Sequence, residues 1–193
     1  MNAAEIFRGA GLSQEELDHI EAGFKEVNYE KGDVILDIGD AVKHQYYVQS
    51  GCLRVFFIDK KGREHTLQFA VKDWWASDYT AYFTGGIAIM SIECIQDAVL
   101  YQTSRSTMES LFQEFPRLES FFRKKLERAF ATFQKRILSN LANSAQERYL
   151  AFLEDYPQVE RHVKNYHIAS YLGVTTETLS RIRNEIAKTA EKE

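Results

Sequence analysis

The spacing of apolar residues changes near Ser106, and this change divides the chain into two kinds of structure. Over residues 27–105, apolar and polar side chains alternate in short runs separated by glycine-bearing turns, a pattern typical of antiparallel strands. The segment "DKKGRE" predicts a hairpin there, and Gln96-Asp97 predicts a turn between two later strands. After Ser106 the apolar residues recur every three or four positions, which predicts helices. The sequence therefore predicts an α+β fold with an antiparallel, jelly-roll-like β-roll and flanking helices.

The longest predicted helix runs from Pro116 to about Asn143 and carries a continuous apolar stripe. This stripe either packs against the chain's own roll or forms a seam with the same helix of a second copy. Its near-heptad spacing favours the seam, so we expect a long dimerisation helix. The stripe continues to Leu141, and the expected dimer interface comprises Leu118, Phe122, Leu126, Phe130, Phe133 and Ile137.

The segment "NYHIASYLGVTTETLSRIRNEI" contains two helical patterns separated by a very short turn. Ala169 is small enough for two helices to cross closely, and Gly173 can adopt the positive φ that ends the first helix. Val174 can plug the turn, and Thr175 can cap the second helix. This spacing is typical of a C-terminal helix-turn-helix, whose second helix enters the DNA major groove. An ordinary helical hairpin gives a similar pattern.

The second of these helices has two chemically different faces. Leu179, Ile182 and Ile186 form an apolar side. The opposite side offers a carboxylate, a hydroxyl, a guanidinium and an amide from Glu177, Ser180, Arg181 and Asn184. Arg can bind guanine in a bidentate manner, Glu can accept a hydrogen bond from cytosine, and Ser can contact a base or a phosphate. We therefore expect this face to read base edges, and we expect Arg183, which lies off it, to contact phosphate.

The charge is distributed unevenly along the chain. The formal net charge of −4 argues against a nucleic-acid partner. However, residues 1–100 hold 16 acidic and 9 basic residues, whereas residues 123–148 hold seven basic residues and only two acidic ones. A solvated helix face would also explain this basic run, so it is supporting evidence only.

The location of the protein is predicted from what the chain lacks. No signal-peptide pattern begins the sequence, and no apolar run reaches the roughly 20 residues that a membrane span needs. Cys52 and Cys94 are far apart in sequence, which favours buried free thiols and a reducing compartment. We therefore expect a cytoplasmic protein that does not contact a membrane.

The segment "IASYLGVTTETLSRIR" resembles the helix-turn-helix of the CRP/FNR transcription regulators, including the Glu-Thr-Leu-Ser-Arg core of the recognition helix. The order of roll, long helix and helix-turn-helix is also similar, and "KGDVILDIGD" and "YYVQSGCLRVFF" match the roll. The resemblance implies a sensory roll over residues 1–115, a dimerisation helix over 116–143 and a DNA-binding domain over 144–193. The expected DNA-binding residues are Thr175, Thr176, Glu177, Ser180, Arg181, Arg183 and Asn184.

The same resemblance implies the partners. A homodimer would bind a palindromic operator in double-stranded DNA, with Arg181 on the guanine of a TGA-like half-site. RNA polymerase and an unidentified small-molecule effector are the other expected partners. The alternative is a ligand-binding or scaffold protein of the same fold that lacks DNA-binding activity.

Two features depart from the family pattern. The sequence stops about seven residues after Ile186, where family members usually continue into a β-wing, and this leaves the strength of phosphate anchoring open. Cyclic-nucleotide binders of the family carry a Gly-Glu pair and, later, Arg-Ser/Thr-Ala. Here Asp78 replaces the Glu, Ala88 falls near the Arg position, and no basic residue occurs between Lys72 and Arg105. We therefore expect the roll not to bind cyclic AMP, because a buried phosphate would have no cationic partner.

An effector pocket of the roll would be lined by the residues around this departure. The candidates are Trp74, Trp75, Asp78, Ile89 and Met90. The two tryptophans can line such a pocket, although they more readily plug the roll.

Other chemistry is less compatible with the sequence. The five histidines are scattered rather than clustered as in a metal-dependent cupin enzyme, and two cysteines are too few for the family's iron–sulfur cluster. Haem ligation by His44 or His65 stays open. No nucleophile–base pair is evident, so we expect neither an enzyme nor a bound cofactor.

Overall fold

The computed structural model describes residues 2–190 and contains strands and helices in the predicted order. The strands are β1 (Lys25–Tyr29), β2 (Val34–Leu36), β3 (His44–Ile58), β4 (Glu64–Ala70), β5 (Trp75–Ala76) and β6 (Ser91–Ser104). The helices are α1 (Ala3–Ile6), α2 (Gln14–Ala22), α3 (Tyr79–Thr84), α4 (Arg105–Glu114), α5 (Pro116–Ala142), α6 (Ala145–Asp155), α7 (Val159–His162), α8 (Asn165–Leu172) and α9 (Thr176–Ala190). The predicted α+β class is confirmed.

The strands form one antiparallel sheet in which neighbours follow the order β1-β6-β3-β4. β2 also pairs with β6, and β5 also pairs with β3. β3 and β4 are the two arms of the predicted hairpin, and the Asp59 carboxylate closes its turn by accepting hydrogen bonds from the N–H groups of Lys61 and Arg63. The sheet encloses an apolar core that includes Val48 and Leu100, both fully buried. β4 lies at one end of the strand order, which leaves it as an edge strand.

The turn predicted at Gln96-Asp97 is wrong, because β6 continues through this dipeptide as a single strand. β3 stays paired with β6 on both sides, and its register shifts between Val48 and Leu53 instead. Gly51 lies within this shift at a φ of +91°, and a Cβ there would come within 2.4 Å of the Asp97 carbonyl oxygen. The polar dipeptide is therefore accommodated by an irregularity in the opposite strand rather than by a chain reversal.

Side-chain caps fix where several helices begin. Ser13 and Glu16 form a capping box at the start of α2, and Ser144 and Glu147 form a second one at the start of α6. α5 begins at Pro116, a position that tolerates the missing backbone N–H. No helix in the described part of the chain is long and apolar enough to cross a membrane.

Both cysteines are buried free thiols, as predicted. Burial raises the pKa of the Cys52 thiol to about 12, and it raises the pKa of the Cys94 thiol to about 11. Both thiols are therefore protonated near neutral pH and lack the thiolate character that reactive cysteines need.

A second apolar cluster joins the roll to the C-terminal helices. Phe69 of β4 is fully buried, and its ring lies 6.1 Å from that of Phe152 on α6 and 6.0 Å from that of Tyr156, which directly follows α6. The ring of Tyr171 on α8 lies 5.5 Å from that of Phe69. The outer face of the roll and the C-terminal helices thus share one core, which places α8 and α9 beside the roll.

Candidate nucleic-acid interface

The turn between α8 and α9 has the geometry of a glycine-ended helix. Gly173 has a φ of +69°, which a residue with a Cβ rarely adopts. Its N–H donates to the Ser170 carbonyl at 3.3 Å, and the Val174 N–H donates to the Ala169 carbonyl at 3.0 Å. These two bonds form a Schellman motif, which satisfies the last carbonyls of α8 and ends the helix within a tight turn.

The start of α9 follows directly from this turn. The Thr175 hydroxyl accepts a hydrogen bond from the N–H of Thr178 at 3.2 Å, so Thr175 caps the helix. The small Ala169 of α8 is buried, which allows the two helices to approach closely. The local signals of the sequence thus produce two helices joined by a three-residue turn, as in a helix-turn-helix.

The two faces of α9 differ in exposure in the way that the pattern predicts. Leu179 and Ile182 are buried, and Ile186 packs partly against the same core. Thr176 is half-buried, and Thr175 is exposed. The exposed polar side chains on the opposite face are Glu177, Ser180, Arg181 and Asn184. The structure therefore brings these four together on one accessible surface, which we call the α9 polar face.

The charged side chains on the α9 polar face form only weak, solvent-exposed interactions within the chain. The Arg181 side chain is 72% exposed, and its Nε lies 3.9 Å from the Glu185 carboxylate. Exposed pairs of this kind contribute less than about 1 kcal/mol, so Arg181 can leave Glu185 for another acceptor. The pKa of Glu177 is lowered by its own backbone N–H and by the hydroxyls of Thr175 and Thr176. Glu177 is therefore an ionised acceptor near neutral pH.

Arg183 is not available for the phosphate contact that we expected from the sequence. Its Nε donates to the Tyr149 hydroxyl at 2.9 Å, and its guanidinium donates to Asn165 Oδ1 at 2.7 Å. It also forms an ion pair with Glu160 at 3.1 Å. These contacts turn Arg183 towards α6, α7 and α8, so we correct its expected role from DNA contact to support of the helix-turn-helix.

The apolar stripe of α5 divides into two parts, which corrects the expected dimer interface. Leu118 is fully buried, and Phe122 is buried with its ring 4.8 Å from that of Trp75. Both belong to the chain's own core and are not accessible to a second copy. The part of the stripe that remains exposed consists of Leu126, Phe130, Phe133, Ile137 and Leu141. Together with the neighbouring exposed Leu138, we call it the α5 apolar stripe.

The expected effector-pocket residues do not line one common cavity. Trp75 packs outside the roll against α5, and Trp74 lies between the roll and α6, with its ring 5.5 Å from that of Tyr156. Met90 packs partly against the roll interior, whereas Ile89 is exposed. The two tryptophans therefore fill space between structural elements, and we do not expect them to line an effector pocket.

Asp78 is fully buried and has a specific structural role. Its carboxylate accepts a hydrogen bond from the Ala81 N–H at 3.1 Å, which caps α3. It also accepts hydrogen bonds from the N–H groups of Ile89 at 2.7 Å and Met90 at 3.1 Å. A negative charge thus occupies the backbone donors at the place where the sequence resemblance puts the phosphate partners of a cyclic nucleotide.

Two residues that contact the roll from outside are absent from the sequence predictions. Ser170 of α8 contacts Thr66 of β4, which lies 104 positions earlier in the chain, and Arg136 of α5 contacts both β4 and α8. Each lies on a helix whose apolar spacing gives no indication of a polar contact so far away in sequence. An interdomain contact of this kind has no local signal that would identify it.

Comparison with known proteins places this architecture among bacterial regulators. The model of the cyclic nucleotide-binding domain matches residues 26–115. The chain is 22% identical over 191 residues to the fumarate and nitrate reduction regulatory protein of Vibrio cholerae, covering 92% of this chain and 75% of that protein.

Solved structures with the same fold are similar over most of both chains. The c-di-GMP responsive global regulator CLP of Xanthomonas campestris has a TM-score of 0.74 at 14% identity, covering 92% of this chain and 93% of that one. TTHA1359 of Thermus thermophilus, a transcriptional regulator of the CRP/FNR family, has a TM-score of 0.67 at 21% identity, covering 86% and 87%. These likenesses show a shared fold in which a roll, a long helix and C-terminal helices follow one another.

Proposed function

We propose that this chain, which belongs to the CRP/FNR family of transcription regulators, reads each half of a palindromic operator with the α9 polar face. The observation that carries this proposal is the exposed set of base-reading side chains on a helix that is capped at Thr175 and packed on α8. Members of this family bind DNA and act as dimers. In a helix-turn-helix dimer, the second helix of each subunit enters the major groove of one half-site.

The residues of the α9 polar face can divide the reading between them. Arg181 offers two parallel N–H donors to guanine O6 and N7, and the sequence resemblance pairs it with the guanine of a TGA-like half-site. Glu177 is ionised and can accept a hydrogen bond from a cytosine amino group. Ser180 and Asn184 can contact a base edge or a phosphate. Thr175 and Thr176 lie at the start of the helix, where backbone N–H groups also favour phosphate.

Selection of binding sites from random duplex DNA by the full-length protein tests this function directly. We expect a two-fold symmetric site whose half contains the TGA-like core. Arg181→Ala should weaken binding by about 1–3 kcal/mol per half-site and relax the preference at one base pair. Arg161→Ala is the matched control, because it removes an exposed arginine of the same domain away from α9.

The result that contradicts this assignment is also specific. If Arg181→Ala weakens binding equally on the selected site and on random DNA, Arg181 contacts phosphate rather than a base. If the wild-type protein selects no sequence, the chain is the non-DNA-binding scaffold that the sequence left open.

The α5 apolar stripe supports the symmetric arrangement. Apart from the adjacent pair Ile137 and Leu138, its members recur at three- and four-residue spacings from Leu126 to Leu141, and they are exposed in the single chain. Pairing with the same stripe of a second copy would bury it, as in a coiled coil. A two-fold axis along this seam would place the two α9 helices about 34–36 Å apart, which is one turn of DNA.

We further propose that the roll does not take a cyclic nucleotide as its effector. A cyclic phosphate brought to the Ala88–Met90 segment would meet the Asp78 carboxylate instead of a cation, since that carboxylate already holds the Ile89 and Met90 N–H groups. Burying a phosphate charge beside a carboxylate, without an arginine to offset it, is strongly unfavourable. The effector of this roll is therefore expected to be less charged and more apolar.

Titration calorimetry with cyclic AMP and cyclic GMP at millimolar concentration tests this second proposal. We expect no saturable heat from either nucleotide beyond the dilution heat of a buffer control. Saturable binding at micromolar concentration would contradict it and would indicate a phosphate site that Asp78 does not block.

RNA polymerase is the partner through which a bound dimer would act on transcription. Transcription in vitro from a promoter that carries the selected operator tests this step. We expect the wild-type protein to change the transcript yield and Arg181→Ala to change it far less at the same concentration. An unchanged yield with the operator fully occupied would exclude polymerase as a partner at that promoter.

A further inference from the structure

Helix α8 lies along the edge strand β4 and satisfies its polar groups. The Ser170 hydroxyl accepts a hydrogen bond from the Thr66 N–H at 2.9 Å and donates to the Glu64 carbonyl at 2.8 Å. The Thr66 hydroxyl also donates a hydrogen bond to the Ser170 hydroxyl oxygen, at 3.2 Å. One hydroxyl of the helix-turn-helix thus uses both its donor and its acceptors on the edge of the sensory roll.

Arg136 connects the same two elements to the long helix. From α5 its guanidinium donates to the carbonyl of Leu67, to that of Thr66 at 3.1 Å and to that of Tyr171 at 3.4 Å. The guanidinium also lies 4.0 Å from the centroid of the Tyr171 ring. A planar group with several donors can hold three carbonyls and a ring at once, which a lysine ammonium cannot do.

A charge network around one buried arginine holds β4 beneath this contact. Arg54 is 1% exposed, and its Nε donates to the Thr66 hydroxyl at 2.8 Å. Its other guanidinium nitrogens pair with Glu64 at 2.7 Å and Glu93 at 2.8 Å. Removing a partner from a buried charge is costly, so Thr66, whose hydroxyl accepts from the buried Arg54, is held in one arrangement. The strand is therefore a rigid support for α8.

The polar contacts differ in kind from the apolar cluster that surrounds them. Phe69, Phe152 and Tyr171 hold the two domains together, but apolar contact has little directional preference. Hydrogen bonds to fixed backbone groups do have such a preference. The Ser170 and Arg136 contacts are thus the part of the junction that selects one orientation of the helix-turn-helix relative to α5.

We propose that Ser170 and Arg136 are positioning residues for DNA binding, which lock the helix-turn-helix to β4 and so set the half-site spacing that the dimer accepts. This inference rests on the proposed function. The docking contacts come from α8 and leave the α9 polar face exposed, so the locked orientation is the one that presents α9 to DNA. The sensory roll then acts on the DNA-binding domain directly through its edge strand, in addition to the long helix.

The test uses the full-length protein and the operator selected by the wild type. Versions of this operator with one to three base pairs added or removed between the half-sites are compared for affinity. For Ser170→Ala and Arg136→Lys we expect about tenfold weaker binding at the selected spacing, a size typical of coupling between sites. Binding at altered spacings should fall less, so that the preference for one spacing flattens, while the base preference at the Arg181 contact is retained.

The choice of variants separates positioning from charge and from stability. Arg136→Lys keeps the cation, so its effect cannot come from lost attraction to phosphate. Lys135→Gln and Ser120→Ala remove exposed groups from the same helix α5 and should leave the spacing preference unchanged. Hydrogen exchange supplies a second measurement, since the Thr66 amide should exchange faster in Ser170→Ala when its acceptor is lost.

Three results overturn the proposal. If Ser170→Ala and Arg136→Lys keep both the wild-type affinity and the spacing preference, the junction does not position α9. If they bind the selected operator more tightly, the docked orientation opposes DNA binding. If the wild-type protein selects no sequence at all, the proposed function fails and this inference fails with it.

Discussion

The two halves of α5 carry the same apolar spacing but lie in different surroundings. In the first half, Leu118 is fully buried, and the Phe122 ring lies within 6.1 Å of the Phe7 ring and 4.8 Å of the Trp75 ring. In the second half, the exposed fraction reaches 62% at Phe130 and 80% at Leu141. The first half is therefore part of the chain's own core, whereas the second half has an apolar side without intrachain cover.

This difference shows what a stripe of apolar residues can and cannot indicate. Spacing of three and four identifies a helix with one apolar face, whatever that face contacts. Which residues are covered by the same chain depends on where α1, α2 and the roll end in space. The dimer seam and the intrachain core are consequently continuous in the sequence and are separated only by the structure.

Replacing an exposed member of the α5 apolar stripe by a charge should have the largest effect. Phe130→Asp would bury two carboxylates in the seam of the dimer, and we expect the dimer dissociation constant to rise by on the order of 100-fold or more. Light scattering and sedimentation at micromolar concentration should then show a folded monomer. Phe83→Asp is the matched control, since Phe83 is 49% exposed but lies on the roll.

The outcome decides which half of α5 faces the second copy. A wild-type protein that is monomeric at micromolar concentration would contradict the seam. So would a Phe130→Asp variant that remains dimeric, because the second copy would then have to contact another surface.

Truncating Phe122 should have the next largest effect, on folding rather than on assembly. We expect Phe122→Ala to lower the free energy of unfolding by about 3–5 kcal/mol, since it opens a cavity among Trp75 and its aromatic neighbours. Measuring urea unfolding in the monomeric Phe130→Asp background makes the reaction independent of concentration. In that background Phe133→Ala should cost less than about 1 kcal/mol, because Phe133 is exposed. Equal losses at both positions would mean that the two halves do not differ as described.

The helix-turn-helix is the part of the site that could be predicted most completely. Gly173, Thr175 and the two faces of α9 act through local rules of capping and periodicity, so the residues themselves carry the signal. The capping box at Ser13 and the hairpin at "DKKGRE" were predictable for the same reason. Caps, turns and helix faces depend only on residues that are close in sequence, so a short segment is enough to predict them.

The corrected predictions all concern contacts between distant segments. Arg183 lies on α9 next to the reading face, but Tyr149 and Asn165 engage it from other helices. The shift in β3 around Gly51 absorbs what looks like a turn in β6. Trp75 packs against Phe122 of α5, which lies 47 positions later in the sequence. None of these partners could be chosen from the sequence, because each depends on how the roll and the helices pack.

The second half of α5 nevertheless contacts its own chain through Arg136, which binds carbonyl groups of β4 and α8. A histidine of α8 on the same side of the roll has a shifted pKa. His167 of α8 is 7% exposed, and burial followed by the nearby charges of Arg54 and Lys164 lowers its pKa to about 4. Glu93, whose carboxylate lies 3.7 Å from His167 Nε2, would favour the charged imidazole, but it is already paired with Arg54 at 2.8 Å. His167 is therefore neutral in the folded protein near neutral pH.

The smallest of the expected effects is the pH dependence that His167 gives to this junction. An unfolded chain binds a proton at His167 below about pH 6.5, whereas the folded chain does so only near pH 4. Between these values protonation favours the unfolded state, so stability should fall by roughly 3 kcal/mol as the pH is lowered, and little further loss from this residue should follow below pH 4. Urea unfolding measured from pH 7 to pH 4 should show this slope in the wild type and a much smaller one in His167→Gln, where carboxylates with a lowered pKa, such as Glu177, still contribute. His162→Gln, which removes an exposed histidine of the same domain, should retain the slope. A slope that survives unchanged in His167→Gln would assign the proton uptake to another group.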